Sequence, residues 1–159
     1  MLSCALLAGA CKEKPKEVSR SVAAAAASAA SEAEFAIQIR DYTRAEEQLR
    51  RALEMRPEIA DWWLELGQVY KRQAKVAEAR KAYERALQAY QAEYRRGEDP
   101  VDLLQQIYVQ VLLGRESEAR KTLDNVAKKH GTHPEVSHFQ EEKMLEHWLR
   151  APDVQAMRL

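Results

Sequence analysis

The sequence predicts an all-α fold, a helix–turn–helix repeat solenoid, and three observations lead to this prediction. Of the 159 residues, 31% are charged and 46% are hydrophobic, whereas only five are Gly and five are Pro. So few turn-forming residues leave long helical runs unbroken. Apolar residues recur at spacings of three and four, which is the pattern of amphipathic helices. Small and large apolar residues also recur after about 34 residues, which indicates an internal repeat.

Composition excludes several classes of protein. The 25 Lys and Arg residues balance the 25 Asp and Glu residues, whereas a nucleic-acid-binding protein needs an excess of cations to neutralise phosphates. Two cysteines cannot form a disulfide-rich scaffold. The Gly-rich phosphate loops, the nucleophile elbow and the zinc-protease motif are absent from the sequence. We therefore expect no catalytic residues, no cofactor, no metal and no small-molecule substrate.

The amino-terminal segment has the features of a targeting signal. Residues 1–11 read MLSCALLAGAC and carry no charge; a membrane-spanning helix needs about 20 apolar residues, so this run is too short to be one. Its length is that of the apolar region of a signal peptide. The polar residues 12–20, which include Pro15, predict a flexible tether.

The end of this apolar run, Leu7–Cys11, resembles a bacterial lipobox. The resemblance implies that Cys11 is acylated and becomes the first residue of a membrane-anchored lipoprotein. Lys12 stands where some inner-membrane lipoproteins have Asp, which favours the outer membrane. However, no Lys or Arg precedes the apolar run, as a signal peptide normally requires. One explanation is that Met1 is an internal methionine and that the true start lies upstream. The alternative to a lipoprotein is a cytosolic terminus with an incidental cysteine.

The central unit, residues 60–93, carries the clearest repeat pattern. Its first half reads W-x2-L-G-x2-Y, and small, aromatic and small residues follow in its second half. The positions are Trp63, Leu66, Gly67, Tyr70, Ala79, Tyr83 and Ala86. This pattern resembles the tetratricopeptide repeat (TPR), which implies a helix–turn–helix unit that stacks on its neighbours.

Weaker units flank the central one, at residues 26–59 and 100–133. The first keeps the small and large positions of its second helix but has lost the Trp and Leu of its first helix. The third keeps its loop and its second helix. Their matching residues are Ala33, Ala45, Leu49, Ala52 and Pro57, then Leu113, Gly114, Arg115, Glu118, Ala119 and Leu123. Atypical end units are expected of a repeat array, because they cap an otherwise open stack.

Apolar periodicity and turn residues predict seven helices. The run VAAAAASAA at 22–30 is assigned to the first helix because Ala is the strongest helix former, with a low-complexity linker as the alternative. The seventh helix is expected to cap the solenoid, and residues 151–159 are expected to form a loose tail. The predicted helices are 18–39, 42–55, 58–73, 76–96, 100–113, 116–130 and 134–150.

The resemblance to TPR proteins implies a concave groove, lined by the first helix of each unit, that binds a protein partner. Its mixture of apolar and polar residues suits a partner helix or an extended peptide. For the residues from Val101 onwards, burial under the C-terminal helix is the alternative. The implied groove residues are Glu34, Ile37, Gln38, Leu64, Gln68, Lys71, Arg72, Val101, Leu104, Tyr108 and Val111.

Three functional hypotheses follow. The first is a non-catalytic scaffold anchored in the bacterial envelope through Cys11 and facing the periplasm, similar in organisation to small periplasmic TPR lipoproteins. The second is a soluble cytoplasmic TPR adaptor. The third is a metal- or substrate-binding enzyme domain built on His130 and His133 with His138 or Glu141. Histidines at a helix C-terminus are common without a metal, so we predict none here.

Overall fold

A computed structural model describes residues 18–159 of the chain, and this part folds into nine α-helices without a β-strand. Each of the first six helices packs against the next one along the chain. The predicted all-α helical repeat solenoid is therefore confirmed. The helices are α1 (Arg20–Gln38), α2 (Tyr42–Met55), α3 (Ala60–Arg72), α4 (Val76–Gly97), α5 (Pro100–Leu112), α6 (Glu116–His130), α7 (Pro134–Glu141), α8 (Met144–Trp148) and α9 (Pro152–Met157).

The same turn joins the two helices of each pair. A residue with positive φ stands at Arg40 between α1 and α2, at Ala74 between α3 and α4, and at Gly114 between α5 and α6. The N–H of the next residue donates back to the last turn of the preceding helix, for example Lys75 N to Tyr70 O at 2.9 Å. This is the hydrogen-bond pattern of a left-handed helix cap. Three equal turns give the three helix pairs the same local geometry.

Side chains cap the first turns of α1, α2 and α5. Ser19 accepts a hydrogen bond from the N–H of Val22 at the start of α1. Asp41 does the same for α2, where the N–H of Arg44 donates at 3.1 Å. At α5, Asp99 is the cap and Pro100 is the first helical residue, where the missing N–H of proline is harmless.

The alanine-rich run belongs to α1, so the linker alternative is wrong. Its small side chains form the face that packs against α2, where Leu49 and Ala52 are fully buried. Alanines allow the two helix backbones to approach closely, and they favour the helix intrinsically. The buried alanines of α1 are Ala26, Ala29, Ala30, Ala33 and Ala36.

Gly67 allows a close approach between α3 and α4. The ring of Tyr83, which is 0% exposed, lies against the backbone of Gly67. A Cβ atom on Gly67 would overlap that ring, whereas nothing lies within 4 Å of a Cβ built on Gly97. Gly67 is therefore needed for space and not for an unusual φ angle.

The prediction of one capping helix over 134–150 is wrong. α7 ends at Glu141, and Lys143 has a φ of 50°, which breaks the helix before α8 begins at Met144. The break turns α8 back onto α5, where the Trp148 ring packs edge-on against Tyr108 with centroids 4.8 Å apart. A straight helix would carry Trp148 away from this contact.

The prediction of a loose tail over 151–159 is also wrong. Residues Pro152–Met157 form α9, in which Val154 and Met157 are buried. Beyond the helix, the N–H of Leu159 donates to the carbonyl of Leu112 at 2.8 Å. Apolar residues three positions apart give this short helix one buried side, which lies on α3 and α5.

We predict that Gly67→Ala lowers the free energy of unfolding by about 1–3 kcal/mol, the usual range for overpacking a filled core. Gly97→Ala is the matched control, and we expect it to be neutral or stabilising by at most about 1 kcal/mol, because the helix end has open space there. Urea unfolding followed by circular dichroism measures both. Equal stability of the two variants would show that α3 and α4 do not depend on this close approach.

Candidate functional site

One cavity brings together residues from the first helix of each of the three pairs. Ile37 and Gln38 of α1, Gln68 and Arg72 of α3, and Tyr108 of α5 line one cavity of about 330 Å³. These five residues are all among those that the repeat register assigned to the groove. The size falls at the lower end of the range of about 300–1,000 Å³ seen for ligand pockets.

The other predicted groove residues lie outside this cavity. Glu34 is exposed on α1, and Leu64, Lys71 and Val101 are half-buried. Leu104 and Val111 belong to the hydrophobic core, with 8% and 0% of their surfaces exposed. Their side chains are not available to a partner, because α5 is covered on its other sides by α6 and by α7–α9.

Sequence reasoning missed half of the residues that line the cavity. Two of these are Asp153 and Met157 of α9, which form a wall of the cavity, and the expected loose tail left no place for them. The one sequence signal for this wall is the three-residue apolar spacing after Pro152. The missed lining residues are Arg40, Tyr42, Val69, Asp153 and Met157.

Carboxylates gather around the first turns of α3, and we call this group the acidic rim. Burial, and then the neighbouring Glu34 and Asp61 carboxylates, raise the pKa of Glu65 to about 7. The buried Oε2 atom of Glu65 has no hydrogen-bond partner among the described residues. Asp61 accepts a hydrogen bond from the hydroxyl of Tyr90. Charge repulsion and desolvation therefore act together on Glu65.

The acidic rim continues towards the start of α5. Burial, followed by repulsion from Asp102, raises the pKa of Glu93. Burial and then Asp99 raise the pKa of Asp102. None of the carboxylates of Glu65, Glu93 and Asp102 forms an ion pair within residues 18–159.

In contrast to the acidic rim, the cavity lining contains more positive than negative side chains. Arg40 and Arg72 contribute two guanidinium groups, and neither forms an ion pair with another residue of the described range. Asp153 is the one carboxylate among the lining residues, and it raises the pKa of Tyr108, after the larger effect of burial. A ligand that carries an anionic group next to an apolar side chain would suit this lining.

The two histidines of the predicted pair differ in their contacts. Nε2 of His130 lies 3.1 Å from the hydroxyl of Tyr94, which also accepts a hydrogen bond from Lys129 Nζ at 2.7 Å. His133 is the half-buried residue before α7; its side chain makes no capping hydrogen bond, and its buried Nδ1 has no hydrogen-bond partner among the described residues. Within residues 18–159, no three His, Cys, Asp or Glu side chains are placed to hold a metal ion.

Two further features concern the membrane. Among the described helices, none is both long and apolar enough to cross a bilayer. The proposed lipidation site, Cys11, lies outside the described residues.

Comparison with known families agrees with this geometry. Residues 31–94 match the family model of the tetratricopeptide repeat. The match runs from within α1 to within α4, so it overlaps the predicted first unit, residues 26–59, although that unit lacks the Trp and Leu of the repeat pattern. The third TPR-like pair, α5 and α6, lies outside the match and is recognised by its equivalent turn at Gly114. No curated protein matches the chain.

We predict that Glu65→Gln stabilises the protein at pH 8 and not at about pH 4.5. The folded state holds the Glu65 proton more tightly than the unfolded state, because the pKa is raised from 4.5 to about 7. The free energy of unfolding therefore falls as the pH rises through this window and stays low above it. Each pKa unit corresponds to about 1.4 kcal/mol, and partial solvent screening reduces the expected gain to about 1–2 kcal/mol.

Denaturant unfolding at the two pH values measures this difference. The exposed Glu47→Gln on α2 removes the same charge and serves as the control. If Glu65→Gln and Glu47→Gln have the same effect at both pH values, the folded state does not disfavour the charged form of the Glu65 carboxylate.

Proposed function

We propose that this chain is a TPR protein that acts as a non-catalytic protein–protein interaction scaffold, with a partner helix or extended peptide bound on its concave surface. TPR units suggest such a scaffold, and residues 31–94 match that family. The observation that carries the proposal is the cavity shared by Ile37 and Gln38, by Gln68 and Arg72, and by Tyr108, since three separate helices contribute to it.

The chemistry of the cavity favours a particular kind of anchor. The half-buried Ile37 supplies apolar surface, and Gln68 supplies a side-chain amide. Arg72 supplies a cation without a partner within the described chain. A cavity of about 330 Å³ holds one or two side chains and not a whole helix. The partner that fits best presents an apolar side chain beside an acidic one, on a helix or an extended strand.

We also propose that the scaffold is a bacterial lipoprotein, acylated at Cys11 and facing the periplasm, with the outer membrane favoured by Lys12. The support is the lipobox-like Leu7–Cys11, followed by the polar residues 12–20. Because α1 begins at Arg20, these polar residues separate the proposed anchor from the repeats. Lipoproteins need several acyl chains for firm attachment, since a single chain binds membranes only marginally.

A soluble cytoplasmic adaptor is the second candidate. The observation in its favour is the departure from the lipobox at Ala8, where that motif most often has Leu. The same concave surface would then bind a cytoplasmic partner.

Site-specific photo-crosslinking tests the binding surface. We expect a photo-reactive residue at Gln68 to give a discrete adduct in cells, and we expect Arg72→Glu in the same chain to reduce that adduct at least about tenfold, because it reverses a charge in the cavity. A photo-reactive residue at the exposed Arg80 of α4 is the control. Mass spectrometry identifies the adduct. Equal yields from Gln68 and Arg80, or no effect of Arg72→Glu, would contradict the proposed surface.

Membrane fractionation with intact-mass analysis tests the anchor, with the wild type beside Cys11→Ser. The lipoprotein hypothesis predicts a membrane-bound wild type whose mass shows cleavage before Cys11 and added lipid, and a Cys11→Ser variant that is neither cleaved nor acylated. A soluble, uncleaved product in both cases would favour the cytoplasmic adaptor.

A further inference from the structure

The last residues of the chain lie on the surface that the repeat register assigns to a partner. We call residues 151–159 the C-terminal segment. Its Val154 and Met157 are 5% and 7% exposed. The hydroxyl of Tyr83 donates to the carbonyl of Met157 at 3.2 Å, and the N–H of Leu159 donates to the carbonyl of Leu112 at 2.8 Å. The segment is therefore docked through both apolar and backbone contacts.

The docking surface of the segment overlaps the candidate site. α9 contacts α3 and α5, which are two of the three helices that line the groove. Asp153 and Met157 form one wall of the cavity whose other walls carry Gln68, Arg72 and Tyr108. A partner that extended from this cavity along α3 and α5 would meet the C-terminal segment.

Several features make the segment a weakly held element. α9 has six residues, far fewer than the roughly 12–15 that an isolated helix needs in water. Only Ala151, Val154 and Met157 are buried, and the residues between them face solvent. Elements with few buried contacts open locally at low free energy. By contrast, α8 is held separately through Trp148, whose ring contacts both Tyr108 and Phe139.

Departure of the segment would uncover polar and apolar groups that a ligand could then contact. The hydroxyl of Tyr83 would lose its acceptor, and the carbonyl of Leu112 would lose the N–H of Leu159. Leaving polar groups of a binding surface unpaired is unfavourable, so a ligand that supplies both partners is selected. The apolar places of Val154 and Met157 would be vacant as well.

We propose that the C-terminal segment is an internal occupant of the partner-binding surface, and that the partner displaces it by presenting the same pattern. This pattern is a short helix with apolar residues at positions i and i+3, followed by an apolar residue at i+5 whose N–H reaches Leu112. It matches Val154, Met157 and Leu159. The inference rests on the proposed function, since it assigns the chemistry of the partner for the same concave surface.

Under this proposal, the segment lowers the apparent affinity of the surface for a partner. A tethered segment competes at an effective concentration in the millimolar range. The apparent affinity for a free ligand is the intrinsic affinity multiplied by the fraction of molecules in which the surface is unoccupied. Weakening the segment should therefore strengthen binding, which is the opposite of the effect expected from damaging a structural cap.

The test uses the full chain and a fluorescent synthetic peptide with the sequence of residues 150–159, RAPDVQAMRL. Gln155→Pro removes the bond from Gln155 N to Ala151 O and breaks α9, while the exposed side chain leaves the core unchanged. Gln155→Ala is the matched control, because both variants lose the side-chain bond to the carbonyl of Leu149. Fluorescence anisotropy gives the affinities, and hydrogen exchange reports release of residues 152–159.

We expect the Gln155→Pro chain to bind the peptide at least about tenfold more tightly than the Gln155→Ala chain. A peptide with Asp in place of its Val and Met should not bind. Met157→Asp in the chain is a second way to release the segment and should have the same effect as Gln155→Pro.

Three results would overturn the inference. The first is release of the segment without a gain in peptide affinity. The second is a segment that stays docked in both Gln155→Pro and Met157→Asp, and the third is global unfolding of both variants, which would make the segment an obligatory part of the fold. In each case, a specific adduct from Gln68 would leave the proposed scaffold function intact. Loss of that adduct together with tight peptide binding would instead contradict the scaffold function alone.

Discussion

The contact between the Tyr83 ring and the backbone of Gly67 is the constraint on which the other features of this solenoid depend. It brings α3 and α4 together at a distance that a side chain on Gly67 would prevent. The same tyrosine reaches beyond the repeat, because its hydroxyl donates to the carbonyl of Met157. Burial raises the pKa of Tyr83, so the hydroxyl remains a neutral donor. One side chain thus sets the spacing of the central pair and holds the C-terminal segment in place.

The repeated turn carries this local geometry along the chain. Arg40 and Ala74 are equivalent residues of two successive turns, and both adopt a positive φ that costs a non-glycine residue about 1–2 kcal/mol. The hydrogen bonds that follow each turn offset this cost. Because the turns are alike, the first helices lie side by side, and residues at the same register, such as Gln38 and Arg72, line the same cavity.

The sequence predicts the parts of the molecule that repeat and misses those that do not. Gly67 and Tyr83 stand in the register of the TPR pattern, so the central pair and half of the cavity lining could be found from it. Helices of five or six residues carry too little periodicity to be recognised, and their contacts are remote along the chain. Met157 packs near Tyr83, 74 positions away, and no local pattern indicates this pairing. The sequence also gives no signal for the helix break at Lys143, because lysine has no special preference for a positive φ.

Fold and recognition use different faces of the same helices. On α3, Leu66 and Gly67 are buried in the helix packing, whereas Gln68 and Arg72 face the cavity. Substitution at Gln68 or Arg72 therefore changes the binding surface without opening the core, so partner choice can diverge while the solenoid is kept. The C-terminal segment is the exception, because Met157 both covers Tyr83 and lines the cavity. A change in this segment alters packing and recognition together, so its sequence is constrained by both.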